Sequence, residues 1–453
     1  MGMPLVRITG SSIERTQSGQ RSDQQARQYI AIGYLGFYIV VASLAAAHVA
    51  FPNHYDELAQ LSYVVQLAIM GMPKIGSASM VLLDPALSAH FTTQPNYLNH
   101  PPAYYFGMGL FLPPSGWPTE RTVFVLRYVN VLLSAVAVGC ALGVGLLRRI
   151  EIRLFALYGA MIVLAPVLPY LGGAINNDNL GILGGCVCLL GAQMLEEHSA
   201  SARGWVLLAS GCALAALAKL TATIMTLGFA LAFIGLQWRA SRQRPSLRYL
   251  LLFIGSEAVA CMFYAWFVVL YGTPAPLSPS FDEVYRSIAA LHPHLHGWLP
   301  GQNVSFVRYL GQFVIWLVAN WNPVTSMSGI AADGILLAPV ITLLLALLAF
   351  MTNNPLRRRA DSMITAGGLA LAMTAALHVA FSYHMYRLTG SPPLDAVPRY
   401  YFPLALIILP LAACWTLSRM VGGMRVAVGC TLAIGLMAAT PLMVLCGGAS
   451  ACN

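Results

Sequence analysis

The sequence predicts an all-α polytopic membrane protein of about eleven transmembrane helices, and three observations carry that expectation. Of its 453 residues, 58% are hydrophobic and only 9% are charged, whereas soluble globular chains carry about 25% charged residues. The apolar runs are about 18–25 residues long, which matches a helix crossing a hydrocarbon core of roughly 30 Å. The strict alternation of a membrane β-barrel is absent.

The expected spans lie near 28–50, 122–147, 154–174, 178–195, 204–218, 221–237, 249–271, 334–351, 363–382, 400–418 and 424–446. The stretch 204–237 reads either as one helix or as two. As one helix of about 34 residues at 1.5 Å each it overshoots a bilayer, and Lys219 near its middle suits a turn at the outer interface. No cleavable signal peptide is expected, because residues 1–27 are polar and the first span lacks an A-x-A-like site.

Charge fixes the expected orientation. The net charge is +9, and 23 of the 25 basic residues are Arg. Most lie in short breaks: Arg7, Arg15, Arg21 and Arg27 before the first span, then Arg148, Arg149, Arg153, Arg203, Arg239, Arg242, Arg244, Arg248, Arg357, Arg358, Arg359, Arg419 and Arg425. All of these share one side if the N-terminus is cytoplasmic, so the excess reads as a topology signal and not as a nucleic-acid surface. An odd number of spans then places the C-terminus outside. The expected organisation is a cytoplasmic tail (1–27), one transmembrane domain (28–446) and an extracytoplasmic tail (447–453).

Two long loops fall outside, at about 51–121 and 272–333, and long loops are usually functional. Leu58–Met70 reads as an amphipathic helix along the membrane surface, and Val304–Trp321 as interfacial helix broken by Trp and Tyr. The nine Cys show no CxxC or Cys/His metal spacing. Seven lie within spans as small apolar residues, and Cys446 and Cys452 would pair only in an oxidising compartment.

Candidate chemistry gathers on the outer side. Asp56 and Glu57 close the run Asn53-His54-Tyr55-Asp56-Glu57 where the first span meets water. An adjacent acidic pair there suits a general base or charge-stabilising carboxylate; the plain reading is a polar stop. Within Tyr97-Leu98-Asn99-His100-Pro101-Pro102-Ala103-Tyr104-Tyr105, two prolines exclude helix at His100 and deliver Asn99, His100 and Tyr104 on a stiff turn. A simple surface turn is the alternative. Between the third and fourth spans stand Asn176, Asn177, Asp178 and Asn179; Asp178 suits a helix cap, which leaves the clustered Asn residues unexplained. Lys219 reads as a phosphate contact or a snorkelling side chain. Arg399 and Tyr400 open the tenth span against the positive-inside trend, so Arg399 calls for a partner, either a phosphate or a carboxylate such as Asp395. His292, His294 and His296 alternate in a Pro-rich loop and give only a weak metal signal.

The order of these motifs resembles that of the GT-C membrane glycosyltransferases, especially the bacterial relatives of the protein mannosyltransferase and aminoarabinose transferase group. The likeness covers roughly residues 28–405, and each motif is short. The resemblance implies a GT-C-like fold and an inner-membrane enzyme. Such an enzyme moves a sugar from a polyprenyl-phosphate carrier to an extracytoplasmic lipid, glycan or protein acceptor, with inversion. It implies Asp56, or its neighbour Glu57, as the base on the acceptor hydroxyl. Lys219 and Arg399 (with Tyr400) would sit at the phosphate, and Asn99, His100, Tyr104, Asn177 and Asp178 at the sugar or acceptor. Some family members use a divalent metal (Mg or Mn), which Asp56, Glu57 and Asp178 would hold, although no spacing requires one. No large soluble domain follows the last span, so the second loop would take up acceptor binding. The rival reading is a lipid or solute transporter or flippase, with Glu257 in the seventh span as its main buried acid. No internal repeat supports it. A non-enzymatic scaffold is the third reading.

Overall fold

The computed structural model of the chain describes residues 10–52, 54, 56–72, 80–87, 90–113, 120–241, 246–276, 304–319, 330–353, 361–389 and 396–446. Helix dominates them. In chain order they form α1 (Gly10–His48), α2 (Glu57–Met70), β1 (Val81–Leu83), β2 (Phe91–Pro95), α3 (Ala103–Gly109), α4 (Glu120–Leu147), α5 (Ile152–Val163) and α6 (Val167–Gly172). There follow α7 (Asp178–Glu197), α8 (Ala202–Ala218), α9 (Leu220–Ser241), α10 (Leu247–Tyr271), α11 (Phe306–Ala319), α12 (Ile330–Thr352) and α13 (Ser362–Thr389). A 3₁₀ turn (Pro398–Tyr401), α14 (Phe402–Arg419) and α15 (Gly422–Cys446) complete the bundle.

All the expected spans are helical, and the protein is an all-α polytopic membrane protein. Seven helices among the described residues are long and apolar enough to cross a bilayer: Ser22–His48, Glu120–Leu147, Asp178–Glu197, Leu220–Arg239, Leu247–Tyr271, Ser362–Leu388 and Pro398–Arg419. The remaining expected spans are shorter apolar helices, Ile152–Val163, Ala202–Ala218, Leu337–Thr352 and Gly422–Leu436. The third is interrupted because Pro166, between α5 and α6, has no amide hydrogen to continue the helix.

The ambiguity at 204–237 resolves as two helices. Lys219 alone separates α8 from α9, with extended backbone (φ −169°, ψ 157°). The helices fold back on each other, so that Cys212 Sγ lies 3.7 Å from the carbonyl of Thr226.

Close packing sets where the helix ends fall. A Cβ on Gly184 of α7 would lie 2.5 Å from the Ala215 nitrogen of α8, and one on Gly211 would lie 2.2 Å from the Cys188 nitrogen. Only Gly permits backbones this close, the usual device of helix pairing in membranes. One on Gly185 would lie 1.9 Å from the Pro403 carbonyl oxygen. That contact docks the start of α14 against α7 and brings Arg399 beside Asp178.

The first loop is structured and includes a feature absent from the sequence reading. β1 and β2 pair antiparallel, with Val81 opposite Pro95 and Leu83 opposite Phe91. The helix expected along the membrane surface is instead covered by protein: from Glu57 to Leu67, α2 is buried except at Leu58, with Leu61, Tyr63 and Val64 in a second apolar core. The polar residues that made it look surface-seeking have partners inside. Gln60 Nε2 donates to Asn177 Oδ1 (3.1 Å), and Ser62 Oγ accepts from the Leu83 amide (2.9 Å). The second expected interfacial helix is α11, which buries Tyr309 and Phe313 and exposes Val307, Val314 and Ile315. His292, His294, His296, Asp395 and Cys452, and the side chain of Cys446, lie outside the described residues.

The two ends of the bundle differ in charge. At one end lie Arg148, paired with Glu196 and Asp361, and Arg425, paired with Glu151. Arg27 donates to the Ile150 carbonyl there (2.9 Å). The first loop, the start of α7, the α8–α9 turn and the start of α14 meet at the other end.

Candidate functional site

The site forms where three helix boundaries converge on the first loop. Asp56 precedes α2 in a left-handed backbone conformation (φ 55°, ψ 10°), which Asp tolerates better than most residues. Its Oδ1 accepts from the Tyr97 hydroxyl (2.6 Å) and its Oδ2 from Arg399 Nη2 (2.5 Å). Arg399 Nε lies 3.5 Å from Asp178 Oδ2, and Lys219 Nζ pairs with Asp178 Oδ1. Two carboxylates and two cations thus alternate in one chain, Asp56–Arg399–Asp178–Lys219.

The Arg399, Asp178 and Lys219 side chains are 3–7% exposed, whereas Asp56 is 30% exposed. Buried ion pairs bring little net stability, because desolvation offsets the attraction. A run of four charges at one end of an apolar bundle is therefore best explained by function. Its most open member is Asp56.

Tyr400 backs this chain. The Lys219 ammonium sits 4.1 Å from its ring centroid and the Arg399 guanidinium carbon 5.3 Å from it, both within cation–π range. His100 stands on the segment before α3, where Lys219, Asp178, Asp56 and Arg399 all act on its ring. Burial first, and Lys219 second, lower its pKa from 6.5 to about 4, so it is neutral at pH 7. Burial pushes the Asp56 carboxyl up, but Arg399, the Tyr97 hydroxyl and Lys219 together outweigh it, and the net pKa lies below 3.8. Burial and the neighbouring Asp56 push the Tyr97 hydroxyl well above 10.0, so it remains a donor.

Not every expected site residue joins this chain. Glu57 is fully buried, with both carboxylate oxygens engaged by Arg127, from Nε (2.8 Å) and Nη2 (2.6 Å). The Ile175 amide also donates to it (3.1 Å), and Arg127 Nη1 donates to the Ala46 and Val49 carbonyls (3.0 and 2.6 Å). Glu57 thus ties α2 to α4, the end of α1 and the loop before α7. Of the acidic pair, Asp56 faces the charge chain and Glu57 anchors the loop.

Tyr104 and Asn177 lie beneath the site. The Tyr104 hydroxyl donates to Asn130 Oδ1 (2.9 Å), which also accepts from Asn179 Nδ2 (3.0 Å). Asn177 accepts from Gln60 and donates to the Ala218 carbonyl (2.9 Å), and so braces the α8–α9 turn that presents Lys219. Asp178 opens α7, but its side chain is spent on Lys219 and Arg399. Asn177 is the N-cap residue, without a side-chain cap bond, and Asn176 Oδ1 accepts from the Asp178 amide (2.9 Å) in a turn that leads into the helix. Asn99 is half-buried beside His100. Tyr97, Arg127, Asn130 and Gln60 were missed by sequence reasoning. Arg127 within the second span carried a signal, since a charge inside an apolar run is costly unless it has a purpose.

The carboxylates Asp56, Glu57 and Asp178 do not fit Mg or Mn. Each already faces Arg127, Arg399 or Lys219, and a hard cation needs oxygen ligands that are not neutralised this way. No group of three metal-ligating side chains occurs among the described residues.

An apolar cavity of about 300 Å³ adjoins the charge chain between α5, α12, α13 and α14. Pro398 and Tyr401 line it beside Arg399, and Ala405, Leu409, Pro410 and Phe350 carry it deeper. From Phe402 to Pro410 the helix rises about 12 Å.

Fold and site together define a polytopic, all-α membrane protein with a paired charge chain at one end of its bundle and an apolar cavity beside it. No protein-family model and no curated protein matches the chain. Among solved structures it is similar to ArnT from Cupriavidus metallidurans bound to undecaprenyl phosphate, with 16% identity and a TM-score of 0.49, covering 87% of this chain and 62% of that one. It is also similar to the apo state of the same protein, with 16% identity, a TM-score of 0.48 and 87% and 61% coverage. The chain spans less than two thirds of the length of ArnT.

Proposed function

We propose that this protein is a membrane glycosyltransferase that moves a sugar from a polyprenyl-phosphate carrier to a hydroxyl acceptor. One observation carries the reading: the cations Arg399 and Lys219 are held in one ion-paired chain with Asp56 and Asp178, and Arg399 lies in sequence between Pro398 and Tyr401, two lining residues of an apolar cavity. An amphiphile with a phosphate head and a long hydrocarbon tail fits that pairing of surfaces. Guanidinium binds phosphate bidentately, and ammonium adds a point charge. The positive-inside rule favours an extracytoplasmic position for this end of the bundle, because Arg239 and Arg419 lie at the far ends of α9 and α14 from Lys219 and Arg399.

The chemistry needs few groups. The acceptor oxygen attacks the anomeric carbon, and Asp56 takes its proton. The bond from that carbon to the phosphate oxygen breaks, and the electron pair leaves with the polyprenyl phosphate, its charge matched by Arg399 and Lys219. Attack from the face opposite the phosphate inverts the sugar. His100, neutral at pH 7, offers a hydrogen bond to sugar or acceptor without adding charge.

Arg399 joins the two halves. While it holds Asp56 Oδ2 and Tyr97 holds Oδ1, the carboxylate has strong donors on both oxygens and is a poor base. An incoming phosphate competes for the same guanidinium and frees Asp56. The base is thus uncovered only when the sugar donor is bound, which protects the donor from premature attack by water.

The transport reading calls for charged groups along a path through the membrane. Glu257 on α10 accepts from its neighbour Ser256 (3.3 Å) and lies near Cys212 of α8, and a single acid is not such a path. To test the transferase, the protein is purified in mild detergent beside an Asp56→Asn variant, and its lipids are identified by mass spectrometry. A polyprenyl-phosphate sugar retained by either supports the reading. Bulk phospholipid alone in both counts against it and favours transport.

A further inference from the structure

One histidine touches both Tyr401, which lines the apolar cavity, and Tyr400, the ring that backs the charge chain, and the mechanism above does not use it. His378 lies on α13 one turn beyond Ala375 and two beyond Leu371, both of which line the cavity. The spacing 371, 375, 378 keeps all three on one helix face. Its Nδ1 lies 2.9 Å from the hydroxyl of Tyr401, another cavity residue. The ring also packs against Phe313 of α11 and Tyr400, at centroid distances of 5.4 and 5.6 Å.

Tyr400 is the ring that carries Lys219 at 4.1 Å. His378 is therefore one aromatic ring away from the ammonium assigned to the phosphate, on the cavity side. Packing explains an aromatic ring at this place, and the Tyr401 hydroxyl gives Nδ1 a structural partner; neither calls for the second ring nitrogen, whose polar edge must also be desolvated. The Tyr401 hydroxyl commits Nδ1 and fixes the ring's orientation, leaving Nε2 as the second polar atom.

We propose that His378 is a contact for the carrier lipid at its head-to-tail junction, with Nε2 hydrogen-bonded to a phosphate oxygen of a polyprenyl phosphate whose chain enters the cavity. The assignment rests on the proposed function. When the Tyr401 hydroxyl donates to Nδ1, Nε2 carries the hydrogen and acts as a neutral donor. Lys219 and Arg399 would match the phosphate's charge, and His378 would read the point where that charge gives way to hydrocarbon.

The two ring nitrogens separate this role from a structural one. Asn at 378 places an amide near the position of Nδ1, and Gln places one near Nε2. We would measure binding of undecaprenyl phosphate to the full chain in nanodiscs for wild type, His378→Asn, His378→Gln and His378→Ala, with inorganic phosphate as a second probe and a thermal melt for each variant. The expected result is that Gln binds the lipid like wild type. Asn and Ala should bind it about tenfold more weakly, with Asn melting like wild type because it keeps the Tyr401 bond. Inorganic phosphate should bind far more weakly than the lipid. Wild-type lipid affinity in Asn with a loss in Gln would overturn the proposal, and so would equal affinity in all variants. Inorganic phosphate binding as tightly as the lipid would reduce the place to a free-anion site. Wild type failing to bind undecaprenyl phosphate would sink the transferase reading itself, and this contact with it.

Discussion

Arg399 Nη2 lies 2.5 Å from Oδ2 of Asp56, a contact that joins residues 343 positions apart and gives the proposed base and the proposed phosphate ligand to each other. Each group's task therefore depends on the other. A carboxylate that neutralises Arg399 lowers its affinity for phosphate, and a guanidinium that holds Asp56 lowers its basicity.

Asp56→Asn should separate binding from chemistry. Removing the carboxylate removes the base, so transfer should fall at least about 100-fold. The same change releases Arg399, so undecaprenyl phosphate should bind as tightly as in wild type or more tightly. Turnover assays beside lipid-binding isotherms check this. Weaker lipid binding in Asp56→Asn would mean that the ion pair positions Arg399 and does not compete with the phosphate.

Arg399→Ala should weaken undecaprenyl phosphate binding by roughly 10–100-fold, the span expected for a hydrogen bond to a charged group. At saturating carrier the rate should fall less than the affinity. Unchanged affinity would remove Arg399 from the site. Lysine at the position should recover only part of the loss, because it cannot bridge two oxygens.

Asp56 should titrate differently before and after the sugar donor binds. In the free protein Arg399 and Tyr97 hold its pKa below 3.8, against the upward push of burial. Once phosphate takes Arg399, that lowering effect weakens and the pKa rises. The acid limb of kcat, which reports the bound complex, should therefore lie at higher pH than the acid limb of kcat/KM for the sugar donor, which reports the free enzyme. Coincident limbs would argue against the exchange of partners.

Much of this was legible in the sequence, and the reason lies in where the charges fall. Asp56, Asp178, Lys219 and Arg399 each stand at the end of an apolar run, where a charge is conspicuous. Their pairing was not legible, because it depends on Gly185 admitting Pro403 and on a single-residue turn at Lys219, and both are properties of packing. The roles within the acidic pair were hidden for a similar reason. Glu57 has its partner, Arg127, inside the next span, where its charge was counted but not matched. α2 misled because polar residues such as Gln60 and Ser62 look the same in sequence whether they meet water or a protein network. A three-residue strand such as β1 is too short to leave an alternating pattern.

Breaking the Glu57–Arg127 pair should destabilise the fold without the separation of binding from chemistry expected at Asp56. Both side chains are at most 5% exposed, and removing one partner of a buried pair typically costs about 3–5 kcal/mol. Glu57→Gln and Arg127→Met should each lower the thermal midpoint clearly. The charge swap Glu57→Arg with Arg127→Glu should not rescue it, because the Ala46 and Val49 carbonyls need a donor at position 127. Rescue by the swap would show that charge balance alone is what this pair supplies.

His100 gives a stability test that is independent of turnover. Its pKa is about 4 in the folded protein, against 6.5 for an exposed imidazole, with burial the larger cause and Lys219 the next. A lowered pKa means that the unfolded chain binds more protons between those values. The stability is therefore complete above pH 6.5 and is lost as the pH falls toward 4. The thermal midpoint should decline between pH 7 and pH 5, and His100→Gln should flatten that decline by removing the titrating group. An identical slope in the variant would place His100 in a solvated position, away from Lys219 and Arg399, and would withdraw it from the site.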